Sequence, residues 1–264
     1  MISRLGARFW GLPEALGRWL SLLASVLVSA FHLYRGRYGL AAVRVSRRVL
    51  IAQIWFTGVQ ALALVCSAGL LVAGVMMGVG YRTLAAVGAE ESFGDLMRLA
   101  VLTEFGPLLT ALIVIGRSGT AITTELAGMR LNQEIDALQA HGVNPYAYLA
   151  VPRLFGVALA NLALTLFMVA SAYLGCVLLA PLTPGVSMPI FIRDLGGAIL
   201  SADITRCATK GLLFGLAIPS VTLYHGFTIR REITEVPRAG TRAVVGAMIT
   251  VFALDALVAL LAHA

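Results

Sequence analysis

Charged residues are scarce in this sequence. They make up 12% of its 264 residues, whereas hydrophobic residues make up 59%. A soluble domain usually carries about 25% charged residues. The composition therefore excludes a water-soluble fold, because such a fold would have nowhere to place so much apolar surface. The length suits one compact membrane domain.

Cysteine is also rare, and a nucleotide-binding loop is missing. Cys66, Cys176 and Cys207 are isolated, and no CxxC or Cys/His spacing is present. The sequence therefore indicates neither a metal site nor a disulfide framework. The P-loop pattern GxxxxGK[ST] does not occur. We expect no cofactor in this chain, so any ATP and Mg must be bound by a separate ATPase subunit.

The basic residues favour a membrane over nucleic acid as the partner. The net charge is +7. An excess of basic residues can indicate binding to nucleic acid or to an anionic membrane surface. Here the basic residues lie between hydrophobic runs, and no basic-aromatic module is visible. We therefore expect no nucleic-acid binding.

Five apolar stretches predict an all-α, polytopic integral membrane protein with five transmembrane helices. They cover about residues 51–81, 99–115, 154–182, 211–224 and 243–261. A helix needs about 20 apolar residues to cross the ~30 Å hydrocarbon core, so the second and fourth need flanking residues. If the N-terminus is cytosolic, 15 of the 20 Lys and Arg residues fall on the cytosolic side. This asymmetry predicts a cytosolic N-terminus and an external C-terminus.

Residues 1–48, which precede the membrane domain at 49–264, have two interpretations. One is a signal peptide with an apolar region at 20–28 and a cleavage site at 28–30. The other is an amphipathic helix in the cytosolic interface, with a polar stripe formed by Arg4, Arg8, Glu14, Arg18, Ser21, Ser25 and Ser29. Five arginines follow between Arg35 and Arg48 and would resist export. The interfacial helix is therefore favoured.

The most polar stretch of the core lies between the second and third spans. It predicts a short amphipathic cytosolic helix at about 123–142, ended by Gly142 and the turn signal Asn144-Pro145. Its polar residues are Glu125, Arg130, Glu134 and Asp136. Two GxxxG patterns, at 74–78 and 211–215, predict close helix packing within the chain or at a subunit interface.

Two carboxylates are expected at membrane depth, where charge is costly. Glu104 is either an interfacial group that reaches headgroup water or a residue that lines a substrate cavity. For Asp255 we expect a hydrogen bond or ion pair between helices.

A protease is an alternative in another class. Gly116-Arg117-Ser118-Gly119 matches the GxSG pattern of rhomboid-type intramembrane proteases, and His225 lies in a later apolar segment. A buried serine needs a nearby base to become nucleophilic. Against this, Arg117 and the polar run after Thr123 place Ser118 at a cytosolic membrane edge. A non-transporting membrane scaffold is a further alternative.

The run from Thr103 to Arg153 closely resembles MlaE-type permeases. The matching elements are Glu104, Gly106-Pro107, 116–121, Glu125, Met129-Arg130, 134–137, 143–145 and Pro152-Arg153. Asn144 departs from the aspartate that many members carry. Weaker similarity extends over the rest of the chain.

This resemblance implies the permease subunit of an ATP-driven transporter that moves phospholipid between inner and outer membranes and so maintains outer-membrane lipid asymmetry. It implies a homodimer in the bacterial inner membrane with a cytosolic ABC ATPase subunit. It also implies a periplasmic MCE-domain (mammalian cell entry) lipid-binding protein and, in many systems, a STAS-domain subunit. A transporter of this kind has no catalytic residues in its permease.

The resemblance also assigns residue roles. The lipid-contacting residues by position are Met76, Leu84, Val87, Glu104 and Phe105, where the outer ends of the first two spans are expected to meet. Glu125, Arg130, Glu134 and Asp136 lie on the helix expected to couple to the ATPase.

Overall fold

A computed structural model of the chain describes residues 17, 19–32, 35, 39–183, 186–229 and 232–263. Within these ranges all regular structure is helical, and five helices are long and apolar enough to cross a membrane. The predicted all-α, polytopic fold is therefore confirmed.

Eight helices organise the described residues. They are α1 (Trp19–His32), α2 (Ser46–Ala86), α3 (Glu90–Leu131), α4 (Glu134–Ala140), α5 (Tyr146–Leu182), α6 (Met188–Gly197), α7 (Ser201–Phe227) and α8 (Glu235–His263). A further helical segment leads into α2 from Gly39. The five long helices α2, α3, α5, α7 and α8 correspond in order to the five predicted spans.

Several of these helices are longer than the apolar runs predicted. α3 begins at Glu90 and continues to Leu131, and α7 begins at Ser201. With 42 residues, α3 is roughly 63 Å long, about twice the ~30 Å hydrocarbon core. The predicted starts at 99 and 211 came too late, because charged residues interrupt the apolar pattern there without ending the helix.

α5 is the central helix of the bundle and packs against α2 and α7. Its buried face includes Val157, Leu164 and Met168. A Cβ added at Gly215 of α7 would lie 2.8 Å from the Cα of Ala158 on α5. The GxxxG pattern at 211–215 therefore serves packing within the chain, as one of the two interpretations predicted.

The other GxxxG pattern lies on an open surface. A Cβ added at Gly74 or Gly78 would meet no heavy atom within 4 Å. The neighbouring Val75 and Val79 are also exposed. This face of α2 is therefore not used for packing among the described residues.

π-helical turns interrupt α2 and α3 at several places. They cover Trp55–Val59, Met76–Tyr81, Arg98–Phe105 and Ile115–Gly119. Each wide turn rotates the side chains that follow relative to a regular α-helix, and such turns are frequent at functional sites. The third of them carries both Arg98 and Glu104, which lie six residues apart and both form ion pairs with α7.

The N-terminal helix α1 packs on the membrane domain through its apolar residues. Leu22 and Val26 belong to the main core cluster. Ser29 is buried, so the predicted serine stripe does not stay on a polar surface. The charged part of that stripe, Arg4 to Arg18, lies outside the described residues. The interfacial position of this region and its division from the membrane domain at residue 49 stay predictions.

The prediction of a single helix over about 123–142 is wrong, because the structure divides this segment between two helices. α3 runs through Leu131, the chain turns at Asn132 and Gln133, and α4 follows. Gln133 has φ 62, a left-handed conformation that a propensity argument does not anticipate. We call this turn the α3–α4 elbow.

The predicted end of the segment is confirmed. α4 stops before Gly142, which has φ +75. The side-chain oxygen of Asn144 accepts a hydrogen bond of 2.9 Å from the Tyr146 N–H at the start of α5. Asn144 therefore caps the start of α5.

Candidate functional site

Three charged side chains from three helices meet inside the membrane domain. Nζ of Lys210 on α7 lies 2.7 Å from Oε2 of Glu104 on α3 and 2.8 Å from Oδ1 of Asp255 on α8. The lysine side chain is 4% exposed, whereas that of Glu104 is 41% exposed. Lys210 comes nine residues after the start of α7, about 14 Å along its axis. We call these three residues the charged triad.

The triad is consistent with the energetics of charge in a bilayer. An unpaired ion at membrane depth is costly, so such residues face protein or water and pair with one another. Lys210 is the cation that pairs with both carboxylates. The ion pair predicted for Asp255 is therefore confirmed, and Glu104 is the member of the triad that remains most open to its surroundings.

A second ion-pair layer lies nearer the start of α7. Arg98 of α3 contacts Asp203 of α7, with 3.2 Å between Nη1 and Oδ2. The side chain of Asp203 is buried, and Asp95 and Arg206 complete the layer from its edges. Arg98 and Asp203 precede Glu104 and Lys210 by six and seven residues, so the two layers are roughly 10 Å apart along α3 and α7.

Sequence reasoning missed the cation of the triad. The fourth apolar stretch, predicted at about 211–224, leaves Lys210 just outside the span, whereas it lies within α7. Lys210 is one of the five basic residues on the external side of the predicted topology. Moving it into a span therefore leaves the 15 cytosolic basic residues unchanged. A signal was available, because the fourth apolar run was too short to cross a membrane. If this run is extended toward the N-terminus, Lys210 enters the span. It is then at membrane depth together with Glu104 and Asp255, for which the predicted spans offer no other cation.

The five predicted lipid-contacting residues differ in their surroundings. Met76 is buried in a cluster with Phe93 and Met97. Val87 is 73% exposed and follows the end of α2 directly. Glu104 comes fourteen residues after the start of α3, roughly 21 Å along its axis.

α3 therefore begins well before the apolar run that predicts the second span. The position of Glu104 at the outer end of that span stays a prediction. Phe105 beside it is exposed, and Leu84 packs at the edge of the cluster that contains Met76. The lipid-contacting role of these residues stays a prediction.

The predicted coupling residues divide into two groups. Nη1 of Arg130 lies 2.7 Å from Oδ1 of Asp136, so this pair bridges the α3–α4 elbow. Glu134 is exposed at the start of α4. Glu125 points elsewhere, because its Oε1 accepts a hydrogen bond of 2.7 Å from Nη2 of Arg153 on α5. The buried side chain of Ile135 anchors α4 to the core.

The geometry does not form the serine protease dyad. Ser118 is completely buried, and no hydrogen bond joins it to His225 within the described part of the chain. A nucleophilic serine needs its base within hydrogen-bond reach. Nothing in the site favours the protease alternative.

Five helices long and apolar enough to span a membrane form a polytopic membrane domain, and three of them meet at the charged triad. A family model described as permease MlaE matches residues 50–261. The chain belongs to this MlaE permease family, and it is a membrane permease subunit, not an enzyme.

Individual relatives agree with this assignment. The chain is 29% identical to the intermembrane phospholipid transport system permease protein MlaE of Haemophilus influenzae, over 96% of this chain and 94% of that protein. It is 28% identical to a probable ABC transporter permease protein of Synechocystis, over 88% of this chain and 89% of that protein. It is also 29% identical to the chloroplastic protein TRIGALACTOSYLDIACYLGLYCEROL 1 of Arabidopsis thaliana, over 66% of this chain and 50% of that protein.

Proposed function

We propose that this chain is the permease subunit of an ATP-driven ABC transporter that moves phospholipid between the inner and outer membranes and so maintains outer-membrane lipid asymmetry. The observation that carries the proposal is the similarity to a phospholipid transport permease over 96% of the chain. The protein would lie in the bacterial inner membrane, with its N-terminus in the cytosol and its C-terminus in the periplasm.

The α3–α4 elbow supports coupling to a separate ATPase. The Arg130–Asp136 ion pair holds the two arms of the elbow together. α3 stays helical from the elbow to Glu104, through the π-helical turn at Ile115–Gly119, over 27 residues or about 40 Å. A displacement of α4 by the ATPase would therefore reach the charged triad through one helix. Glu134 is exposed where the ATPase would dock.

The assembly would contain further subunits. A second copy of this chain would form the homodimer, for which the open Gly74–Gly78 face of α2 provides a surface where backbones can approach closely. A periplasmic MCE-domain protein would receive or deliver lipid, and a STAS-domain subunit would attach to the ATPase. Glu104 and Phe105, both accessible at membrane depth, would contact the transported lipid.

The test is ATP-dependent lipid transfer by the reconstituted complex. The chain is co-expressed with the ATPase and MCE proteins of its own organism, purified and placed in liposomes with a fluorescent phospholipid. We expect transfer that needs hydrolysable ATP, that is lost in Glu104→Lys and that is retained in Ser118→Ala. The complex should still assemble in both variants.

Two results would contradict the proposal. One is transfer at the wild-type rate by Glu104→Lys or without ATP. The other is loss of activity in Ser118→Ala together with labelling of the wild type by a fluorophosphonate probe. The second result would favour the protease alternative.

A further inference from the structure

A cavity of about 780 Å³ lies between the ends of α2, α3 and α5 that face the α3–α4 elbow. Its lining combines apolar and polar side chains, and the polar ones include Gln53, Thr124, Tyr148, Glu125 and Arg153. A volume of this size is typical of a small-molecule site, in which a few polar groups fix the ligand's orientation. The charged triad is not part of this lining.

Arg153 brings a buried positive charge to the cavity. Its side chain is 5% exposed. Its Nη2 donates to Glu125, and its Nη1 makes a long contact of 3.5 Å with the Leu149 carbonyl. A guanidinium has five N–H donors, and these two are the hydrogen bonds it makes within the described residues. Further donors are therefore available to an anion in the cavity.

Glu125 brings the complementary negative charge. Its Oε1 accepts the bond from Arg153, and its side chain is 58% exposed. The second carboxylate oxygen can therefore accept from a cation beside the ion pair. The cavity presents a cation and an anion side by side, each with unused hydrogen-bonding capacity. A ligand that carries both a phosphate and an ammonium group matches this arrangement.

The surroundings place the cavity at the level of lipid headgroups. Trp55 of α2, next to the cavity residue Phe56, is exposed. Tryptophan and tyrosine are enriched at membrane–water interfaces. Ile51 of α2 and Phe155 of α5 are also exposed and apolar, as expected of residues beside acyl chains. The elbow side of the bundle is the cytosolic side in the proposed orientation.

We infer that this cavity binds the headgroup of a zwitterionic phospholipid from the cytosolic leaflet, with its phosphate on Arg153 and its ammonium on Glu125. The inference rests on the proposed function, since it names a place where the permease meets a phospholipid. It assigns Glu125 to lipid binding next to the elbow and leaves Glu134 to face the ATPase.

The test measures lipid binding to the purified full-length chain by native mass spectrometry. The chain is delipidated and titrated with phosphatidylethanolamine, phosphatidylglycerol or soluble glycerophosphoethanolamine. We expect phosphatidylethanolamine to bind about tenfold more tightly than phosphatidylglycerol, because a charged hydrogen bond contributes about that factor. The soluble headgroup should bind far more weakly than either lipid, since it lacks acyl chains.

Matched variants locate the binding. Glu125→Gln removes the negative charge at the cavity, and Glu134→Gln makes the same change on the exposed start of α4. We expect about tenfold weaker phosphatidylethanolamine binding in the first and wild-type binding in the second. Arg153→Met should weaken both lipids. Thermal unfolding of each variant checks that the fold is intact. If Arg153→Met does not fold, the comparison of Glu125→Gln with Glu134→Gln tests the inference.

Several outcomes would overturn the inference. One is equal phosphatidylethanolamine binding by Glu125→Gln and Glu134→Gln. Another is equal affinity of the wild type for phosphatidylethanolamine and phosphatidylglycerol. A third is binding of glycerophosphoethanolamine as tightly as lipid. Cross-linking of the cavity to another protein segment in the lipid-bound chain would also overturn it. The assay reads binding, so it separates the two proposals. If binding depends on Glu125 but the complex transfers no lipid, the proposed function fails and the site stands. If transfer occurs but binding ignores Glu125, only the site fails.

Discussion

Lys210 of α7 donates a hydrogen bond of 2.7 Å to Glu104 of α3, although 106 residues separate them in the chain. The same ammonium lies 2.8 Å from Asp255 of α8. One buried cation therefore connects three spanning helices. Any movement that separates α3 from α7 must break or rearrange this contact.

Lys210→Met should destabilise the protein strongly. It leaves two carboxylates without a cation, and removing one partner of a buried ion pair costs about 3–5 kcal/mol. We expect a lower thermal unfolding temperature in detergent. The triple variant Glu104→Gln, Lys210→Met, Asp255→Asn should recover much of the loss, because no charge is then left unpaired. Equal stability of Lys210→Met and the wild type would contradict the ion-pair account.

Gly215→Ala should also destabilise, for a steric reason. The added Cβ would lie 2.8 Å from the Cα and 2.9 Å from the carbonyl oxygen of Ala158, and a backbone cannot yield as a flexible side chain can. Overpacking of this kind costs about 1–3 kcal/mol. Gly128→Ala on α3 is the matched control, because its Cβ would meet nothing within 4 Å. Its unfolding temperature should stay the same or rise. The reverse order of the two variants would contradict the packing described.

The number and order of the spans could be predicted from the sequence, since each long helix contains an apolar run. The true ends of α3 and α7 could not. The predicted runs 99–115 and 211–224 leave out Arg98 and Lys210, because the partners that neutralise them, Asp203 on α7 and Glu104 on α3, are distant in the chain. A charge within a helix is tolerated when another helix neutralises it, and a single sequence does not show that pairing.

The α3–α4 elbow gives a third prediction. Gln133 has φ 62, and the left-handed conformation costs an L-residue roughly 1–2 kcal/mol, with a greater cost for β-branched side chains. Gln133→Val should therefore lower stability and impair ATPase stimulation in the purified complex. Gln133→Gly should preserve both, because glycine adopts this conformation readily. Normal coupling in Gln133→Val would show that the elbow's shape is not required.

Charge reversal at Glu134 should weaken the contact with the ATPase. The side chain is exposed at the start of α4 and is not part of the bridge between Arg130 and Asp136. We expect Glu134→Lys to reduce co-purification with the ATPase or the ATPase rate of the complex. Glu91→Lys makes the same change at the opposite end of α3 and should leave both unchanged. A similar loss in the two variants would point to a general effect of charge.

The functional residues were only partly predictable. Glu104 and Asp255 stood out because a carboxylate in an apolar run is rare, and the fold brings both to one lysine. Val87 follows the end of α2 directly, whereas Glu104 lies roughly 21 Å along α3 from its start. Glu125 and Glu134 are nine residues apart on what seemed one helix. The left-handed Gln133 directs them to different neighbours, and φ at one residue cannot be derived from periodicity.

The most direct test of the account is which side of the membrane the α3–α4 elbow faces. Single cysteines are placed at Glu134 and at Val87 in a variant whose three natural cysteines are replaced by serine. Intact cells and inside-out vesicles are then treated with a membrane-impermeant maleimide. The account predicts that position 134 reacts only in inside-out vesicles and position 87 only in intact cells. Labelling of position 134 from outside intact cells would contradict it, because no cytosolic ATPase could then reach α4.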